Sequence, residues 1–408
     1  MAVTHSSTPR FASSLTSERD PVTAAETLSI NVREQLGSSS ADLAILFLSS
    51  HYGGDADSLM ATARAALSPG VLIGCTGEGV IGAGREIEAS PAASLWAAHL
   101  PRTGLMPLRL SFSSVQDQFT MTGWPDRFHS DPDSPPVLLL FADPFSTPMQ
   151  ELLPLLEERY PGSVVIGGLA GGGRDIGENR LMLNDEIYDS GLVGVALSGG
   201  ISIKTVVSQG CRPIGERYMV TNAEQNIIRE LGGRPALHCL QHVYQSLEAK
   251  ERELAHRALH IGIAIDEHRD RFERGDFLVR NLIGADQETG AVVIGDVVQE
   301  GQTVQFQVRD AGSAHEDLHD LLATCRGGAR SPALGALLFS CCGRGKGLFG
   351  HVNHDVSVIE EHIGRIPLSG FFAQGEIGPI GGRSFLHGYT ASIVLFEDDV
   401  PARSRVLS

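Results

Sequence analysis

Four side chains near the C-terminal end of the chain combine types and spacing that suit a small polar ligand. Cys341, Cys342 and Arg344 share one glycine-rich turn, and Glu376 lies in a second glycine-rich turn that follows an apolar run. An arginine binds carboxylate or phosphate through its planar fork, and a partly buried carboxylate needs a partner such as an ammonium group. Arg344 could therefore take a ligand carboxylate and Glu376 the ammonium of the same ligand. A salt bridge between Arg344 and Glu376 fits the spacing equally well.

The adjacent cysteines suggest a second chemistry, nucleophilic catalysis. Cys341 and Cys342 end an apolar run, and adjacent strand residues point to opposite faces, so we expect at most one thiol to be exposed. A reactive thiol needs a lowered pKa, which Arg344 could provide, with Glu376 or a nearby histidine as base. Cysteine is among the most often buried residue types, so a role in the core is the main alternative.

Other chemistries lack their residue patterns. His351 and His354 have an i, i+3 spacing, but no Cys, His or Glu set completes a familiar zinc pattern. The glycine run from Gly168 to Gly173 has neither a P-loop lysine nor an acidic ribose partner at the required distance. No G-x-S-x-G elbow of a serine hydrolase occurs. We therefore expect no metal and no cofactor.

Composition excludes several classes of partner. The formal net charge is −17 at pH 7 and no long Lys/Arg cluster occurs, so we expect no nucleic-acid partner and no anionic membrane surface. No apolar run approaches the roughly 20 residues of a membrane-spanning helix, and the N-terminus lacks the continuous apolar stretch of a signal peptide. The six cysteines, with no CxxC, fit reduced thiols. These features predict a cytoplasmic protein.

The elements that must position the candidate residues follow one order three times. An apolar strand, a helix, a second strand that runs into glycines and a closing strand can be read from the stretches that begin near Asp42, Pro136 and Gly335. The shared order and similar spacing indicate an internal repeat. Strand-helix-strand steps place strands parallel, whereas the turn into the closing strand favours an antiparallel neighbour. The predicted fold class is α/β, with mixed sheets flanked by helices.

The repeat adds two candidates to the site. Gly77-Glu78 matches Gly375-Glu376, because each Gly-Glu pair precedes further apolar residues and then a closing strand led by Ala-Ser. We therefore treat Glu78 as the repeat equivalent of Glu376 and as a second candidate ligand carboxylate. Glycine permits positive φ and close backbone approach, so such turns suit a loop around a small ligand as well as an ordinary tight turn.

The remaining segments contain clear local signals. Residues 1 to about 20 are polar and without periodicity, which is typical of a mobile tail. The first helix should begin at the Asp20-Pro21 cap and end at Gly37. Thr221 with Glu224 forms a capping box that predicts a helix up to Gly232-Gly233, near which we place the boundary between two halves. Farther on, hairpins are expected, with the turn at Asp286 to Gly290.

The motifs DLAILFLSS, IGCTGEGVIG, SQGCRPIGERYMVTNAEQNIIRELGGRPAL and FSCCGRGKGLFG with GFFAQGEIGPIGG occur in this order in the chain. In this combination the sequence resembles the FIST sensory proteins, which carry an N-terminal and a C-terminal FIST domain in tandem. The resemblance covers nearly the whole chain, from about Phe11 to Phe396. It implies a FIST N-terminal domain over residues 21–233 and a FIST C-terminal domain over 234–400, between tails at 1–20 and 401–408.

The resemblance also implies a function. It predicts a cytoplasmic signalling domain that binds a small molecule such as an amino acid or a related metabolite. Motif positions that match the family pattern, and so become candidate ligand-binding residues, are Glu376, Arg344, Cys341, Gly345, Gly375, Gly370, Glu78 and Gly77, with Gly74 and Gly210 as further matches. No kinase, cyclase, chemoreceptor or F-box segment is recognised, so we expect the output to pass to a separate signalling protein. An enzyme with a Cys341 or Cys342 nucleophile and a protein-interaction scaffold without a ligand remain as alternatives.

Overall fold

A computed structural model of the chain describes residues 8–115, 118–125, 134–269, 272, 274–327 and 331–398. The α-helices in these residues are α1 (Pro21–Leu36), α2 (Ala56–Leu67), α3 (Met149–Arg159), α4 (Ala236–Ser246), α5 (Ala249–Ala258), α6 (Ala311–Gly327), α7 (Gly345–Phe349) and α8 (His354–Ile363). A short 3-10 turn spans Ser50–Tyr52. None of the helices in the described ranges is both long enough and apolar enough to cross a membrane.

The β-strands contain more residues than the helices. They are β1 (Arg10–Thr16), β2 (Leu43–Ser49), β3 (Val71–Gly77), β4 (Gly79–Gly82), β5 (Arg85–Glu88), β6 (Ala93–His99), β7 (Gly104–Val115), β8 (Gln118–Thr122), β9 (Val137–Ala142), β10 (Val164–Leu169), β11 (Leu181–Leu183), β12 (Glu186–Tyr188), β13 (Leu192–Ser198), β14 (Ile201–Ser208), β15 (Cys211–Glu224), β16 (Ile227–Leu231), β17 (Arg234–Pro235), β18 (Leu259–Ala264), β19 (Phe277–Ala285), β20 (Val292–Ile294), β21 (Thr303–Arg309), β22 (Ala333–Cys341), β23 (Leu368–Ala373), β24 (Gly375–Ile380), β25 (Arg383–His387) and β26 (Ala391–Asp398).

The elements group into two compact units. The first unit comprises residues 1–207, 321–386 and 391–408, and the second comprises 208–320 with the short segment 387–390. The boundary predicted near Gly233 lies inside the second unit, between β16 and β17. The predicted tail at 401–408 lies outside the described residues, as do residues 1–7. The rest of the predicted N-terminal tail is not a tail throughout, because β1 pairs with β6 from Arg10 to Thr16 and buries Phe11 and Ala12.

Three sheets of the first unit, as far as the structure describes it, share one strand order. Each sheet runs from one edge strand, or two in the second sheet, to the closing strand, the first strand, the second strand and finally a two-stranded hairpin. The orders are β1-β6-β2-β3-β11-β12, β8-β7-β13-β9-β10-β24-β25 and β14-β26-β22-β23-β4-β5. The first and second strands are parallel, whereas the closing strands are antiparallel to the first strands. The predicted α/β class with mixed sheets is confirmed.

Each hairpin joins a sheet other than the one that contains the strand before it. The β4–β5 hairpin follows β3 in the chain but pairs with β23, β11–β12 pairs with β3, and β24–β25 pairs with β10. Where the chain leaves one sheet for the next, three backbone hydrogen bonds join neighbouring sheets. Glu78 N donates to Phe372 O at 3.0 Å, Gly171 N to Thr76 O at 3.0 Å and Gln374 N to Leu169 O at 3.2 Å. The three sheets thus exchange hairpins in a circle, and each hairpin covers the edge of the sheet that the second strand (β3, β10 or β23) would otherwise leave open.

A shared apolar core lies between these sheets. Phe47 on β2, Phe141 on β9 and Phe339 on β22 are fully buried, and their ring centroids are separated by 5.3, 5.9 and 6.4 Å. Phe371 on β23 packs against all three rings. Aromatic pairs at such distances contribute beyond the area they bury, so this cluster stabilises the arrangement that positions the exchanged hairpins.

Helices cover the outer sides of these sheets. The apolar stripe of α1 packs with α2 over the first sheet, and α3 packs over the second. Both ends of α1 are as predicted, because the Asp20 carboxylate accepts the Thr23 N–H at 2.9 Å and Gly37 caps the C-terminal end.

The second unit is built around one sheet that closes on itself. Its order is β15-β21-β18-β19-β20-β16-β17, and β15 pairs additionally with β16. The predicted hairpin turn at Asp286 to Gly290 is confirmed between β19 and β20. The helix predicted from Thr221 is wrong, since this segment forms β15 and β16 with a turn at Gln225. Thr221 Oγ1 accepts the N–H of Gly233 instead of capping a helix, and strand pairing buries Ile228 and Leu231, which outweighs a local capping preference.

Candidate functional site

The β4–β5 hairpin brings two glutamates to the glycine-rich turn that follows β22. Glu86 and Glu88 lie on β5, the edge strand of the third sheet, and Glu88 accepts the backbone N–H of Lys346 at 2.9 Å across 258 positions of sequence. Glu86 accepts the N–H of Val356, at the start of α8, at 2.9 Å. The backbone N–H of Glu86 donates to Asn353 Oδ1 at 2.8 Å, so the hairpin is fixed by both its backbone and its side chains.

Arg344 is the centre of this cluster. It precedes α7, its side chain is among the largest that are fully buried, and only 1% of the residue is exposed. Its Nε and Nη2 donate to the two carboxylate oxygens of Asp355, each at 2.8 Å. This is the two-point geometry in which a guanidinium binds a carboxylate most strongly. Glu376, with which a salt bridge was considered, is not the residue that receives this fork.

Asp355 is held as an anion by several donors. Besides Arg344, it accepts a hydrogen bond from Ser340 Oγ at 2.8 Å, and His354 Nδ1 lies 2.9 Å from its Oδ1. Burial alone would raise the pKa of Asp355, but the Arg344 charge and the hydrogen bonds from His354 and Arg344 hold it well below its usual range. Burial would likewise lower the pKa of Arg344, and the Asp355 carboxylate outweighs it and raises that pKa.

Aromatic rings line one side of the guanidinium. The Cζ of Arg344 lies 5.2 Å from the centroid of the Phe349 ring. Phe349 in turn stacks on His354, with 3.3 Å between centroids and 7° between ring planes. Because a cation over an aromatic face is stabilised when water is excluded, these rings help to hold Arg344 in place.

The pKa of Glu86 is strongly raised in this cluster. The residue is only 4% exposed, and burial, with the Asp355 charge as the next cause, raises the pKa of Glu86 to about 8. The Val356 N–H opposes this shift but does not cancel it. At neutral pH the side chain is therefore mainly a neutral carboxylic acid.

Two polar atoms of the cluster are buried and have no hydrogen-bond partner within the described ranges. They are Nη1 of Arg344 and Oε2 of Glu86. Buried polar atoms in native proteins are nearly always hydrogen-bonded, so each of these atoms marks a place where a water molecule or a ligand atom can bind. A guanidinium donor and a carboxyl group suit a small molecule with oxygen acceptors.

Gly345 is required by the same cluster. Its φ is +61°, and an added Cβ would lie 2.6 Å from Glu88 Oε1. Only glycine adopts this conformation without strain, and the Glu88 carboxylate occupies the space that a side chain would need. Of the candidate glycines, Gly345 is thus the one in contact with the charged cluster.

Glu376 and Cys341 lie close to Arg344. Glu376 is completely buried on β24, opposite Gly168 of β10, and its charge contributes to the raised pKa of Arg344. Cys341 ends β22 and is buried, and its carbonyl accepts the Arg344 N–H at 2.8 Å. Cys342, the next residue, is exposed, as the alternation of strand faces predicts.

Other candidates serve the packing of strands. An added Cβ at Gly370 would lie 1.8 Å from Leu338 O, so this glycine permits the close approach of β23 to β22. At Gly77 the same atom would meet Phe371 at 2.8 Å, and at Gly375 it would meet Leu169 at 2.9 Å.

Glu78 and Glu376 are not equivalent, contrary to the match made from the sequence. Glu78 is the single exposed residue between β3 and β4, whereas Glu376 is the second residue of β24. The residue between β23 and β24 is Gln374, whose backbone N–H makes the same kind of cross-over hydrogen bond as that of Glu78. The structure therefore places Glu78 outside the buried cluster.

Sequence reasoning missed Asp355, Glu86 and Glu88. Asp355 follows the two histidines that were considered for metal binding, and its position eleven residues after Arg344 is marked in the sequence only by the start of a helix. The two glutamates alternate along a short strand-like stretch, as site residues on one face would. Their distance from Arg344 in sequence gave no signal, because only the exchange of the hairpin brings them together.

Comparison with known proteins gives one family over most of the chain. A model described as the FIST N domain matches residues 42–234, and one described as the FIST C domain matches residues 236–379. An uncharacterized protein of Mycobacterium tuberculosis strain H37Rv is 44% identical over 375 residues, which cover 92% of this chain and 96% of the relative. An uncharacterized protein of Mycobacterium bovis is 43% identical over 372 residues, covering 90% of this chain and 94% of the relative.

Proposed function

The chain belongs to the FIST family, whose domains are small-ligand sensory domains of signalling proteins, and we propose that it is a cytoplasmic sensor that binds a small metabolite beside Arg344. The ligand class we propose is an amino acid or a related metabolite. We propose that binding is signalled to a separate protein.

One observation carries this proposal. Arg344 is almost completely buried, yet its Nη1 has no hydrogen-bond partner within the described part of the chain. Asp355 already takes Nε and Nη2, so Nη1 is the edge of the guanidinium that can bind a ligand oxygen. The negative charges of Glu88 and Glu376 near the same cluster would attract the ammonium of an amino acid.

Because Arg344 directly precedes α7 and is buried, access to its side chain would require this segment to move. This helix has only five residues, Gly345–Phe349, and is flanked by Gly343 and Gly350. Cys342, Lys346 and Gly347 in or next to this helix are exposed, whereas Arg344, the residue directly before it, is buried. We propose that α7 moves to admit the ligand and that its changed position is what a partner protein senses. A ligand can shift such an equilibrium only if it binds the two positions with different affinity.

A thermal-shift screen of amino acids and small carboxylic acids tests the proposal. A ligand present at about a hundredfold its Kd should stabilise the protein by roughly 2.7 kcal/mol. Arg344→Lys keeps the charge but removes the fork, so it should lose most of this stabilisation. Arg64→Lys is the matched control, because Arg64 also has an ion-pair partner, Asp185, away from the cluster.

The outcomes separate clearly. If no compound stabilises wild type, the sensory proposal is wrong. If a compound stabilises Arg344→Lys, shown by circular dichroism to be folded, as much as wild type, the ligand does not bind at Arg344. Slower amide exchange in α7 on ligand addition would support the proposed movement, and unchanged exchange there would contradict it.

A further inference from the structure

The carboxyl group of Glu86 is fixed at one oxygen and unsatisfied at the other. Its Oε1 accepts the Val356 N–H at 2.9 Å, and its backbone N–H donates to Asn353. Its Oε2 is buried without a hydrogen-bond partner within the residues described. A side chain anchored in this way cannot turn to solvent without breaking the hydrogen bond to α8, so Oε2 must be satisfied within the site.

The charges around Glu86 oppose its ionisation. Asp355 on α8 and Glu88 on the same strand are carboxylates, and Arg344 at the start of α7 is the cation that acts on it. That cation is already forked to Asp355. On β4 the residue paired with Glu86 is Ile81, which carries no charge. Because Asp355 takes the Arg344 fork, burial and these two carboxylates outweigh what the Val356 N–H and Arg344 contribute to an ionised Glu86, so the neutral acid is the favoured form.

We propose that Glu86 binds the ligand as a neutral carboxylic acid, with its Oε2–H donating to a ligand carboxylate that Arg344 Nη1 also contacts. This inference rests on the proposed function and names the group of the ligand that the site recognises. Two donors, one neutral and one cationic, match the two oxygens of a carboxylate. A ligand that carries an ammonium group but no carboxylate would leave both donors unsatisfied.

The protonation state of Glu86 can be measured without any ligand. The infrared C=O band of a protonated carboxylic acid should be present in wild type at pH 7, absent in Glu86→Gln and lost from wild type as the pH rises past about 8. Glu151→Gln, on the exposed surface of α3, is the control and should keep the band. Absence of a band that depends on Glu86 would overturn the inference while leaving the proposed sensory function intact.

Three probes of similar size then test the ligand group at pH 7. L-alanine carries both carboxylate and ammonium, pyruvate carries only the carboxylate, and L-alaninamide carries only the ammonium. We expect calorimetric binding of at least one of the carboxylates and none of L-alaninamide. Binding of L-alaninamide alone would overturn the inference but not the proposed function, whereas binding of neither carboxylate, with no hit in the wider screen, would overturn both.

The pH dependence of binding gives the final test. With pyruvate, or with L-alanine if only that binds, wild-type affinity should fall about tenfold between pH 7 and pH 9, because the neutral fraction of Glu86 falls tenfold for each pH unit above its pKa. Glu86→Gln keeps a donor that does not titrate, so its affinity for the same probe should fall at least fivefold less. Equal losses in wild type and Glu86→Gln would overturn the inference.

Discussion

Breaking the buried pair of Arg344 and Asp355 should lower the free energy of unfolding by a large amount. Both side chains are almost fully excluded from solvent, and two charge-assisted hydrogen bonds of 2.8 Å join them. Each such bond contributes about 1.5–3 kcal/mol, and removing one partner of a buried pair costs about 3–5 kcal/mol because the other charge is left unpaired. We therefore expect Arg344→Met to lower the free energy of unfolding by about 3–5 kcal/mol at pH 7.

The double variant Arg344→Met/Asp355→Asn separates the lost pair from lost packing. It removes both charges but keeps an oxygen that can accept from Ser340, so it should be more stable than Arg344→Met alone. Urea unfolding followed by tryptophan fluorescence suits the measurement, because Trp96 and Trp124, the two tryptophans of the chain, both lie in the first unit. A loss below about 1 kcal/mol for Arg344→Met is the range of an exposed pair and would refute the reasoning.

The pH dependence of this pair has a definite sign. The pKa of Asp355 is lower in the folded protein than its ordinary value of 3.8, so the pair contributes stability above that value and loses it as the pH falls. Without Arg344, burial would instead raise the pKa of Asp355. The difference in stability between wild type and Arg344→Met should therefore grow as the pH rises from about 4 to 7, and a constant difference would contradict the assignment of the pair.

Further predictions concern acidity and packing. The pKa of Glu86 is raised from 4.5 to about 8, so the folded protein holds a proton that the unfolded chain has lost. Wild type should therefore lose roughly 1 kcal/mol of stability per pH unit between pH 6 and 8. In urea unfolding, the stability of Glu86→Gln should fall clearly less per pH unit, and an equal fall would count against burial of this acid. Burial, with the Arg309 charge, lowers the pKa of His260 from 6.5 to about 4, so stability on the order of 3 kcal/mol should be lost as the pH falls between these values. Acid unfolding followed by circular dichroism should show that His260→Asn lacks this loss. Equal acid unfolding of wild type and His260→Asn would refute the prediction. Gly370→Ala places a Cβ 1.8 Å from Leu338 O and should destabilise the protein by about 3 kcal/mol or more in urea unfolding. In the control Gly54→Ala, no atom lies within 4 Å of the added Cβ, so stability should change little. Similar stabilities of the two variants would argue against close strand packing at Gly370.

Much of the fold follows from local sequence. The Asp20 cap, the apolar stripe of α1 and the apolar strands β2, β9 and β22 are read within single elements, and the structure has them where they were expected. The parallel and antiparallel relations also follow, because a strand-helix-strand connection leaves few alternatives. Alternation at the end of β22 predicted that at most one of the Cys341 and Cys342 thiols would be exposed.

The errors share one physical cause, which is that strand pairing is not local. A capping box at Thr221 has the same sequence whether the segment forms a helix or pairs with a distant strand, and the burial of Ile228 between strands decided the outcome. The match of Glu78 with Glu376 failed for a related reason. The match rested on the shared Gly-Glu dipeptide, whereas the strand boundaries show that Glu78 corresponds to the exposed position of Gln374.

The sequence by itself determined the strand-helix-strand order of the three repeated stretches and made Arg344 a candidate, since glycine-rich turns, apolar runs and an isolated arginine are visible in a linear pattern. Only the tertiary structure decided which charges surround that arginine. Asp355 reaches it from α8, and Glu86 and Glu88 reach it because their hairpin pairs with β23 rather than with the sheet of β3. A linear chain does not encode that partner in any local signal, because the choice depends on the burial of three sheets around one aromatic core.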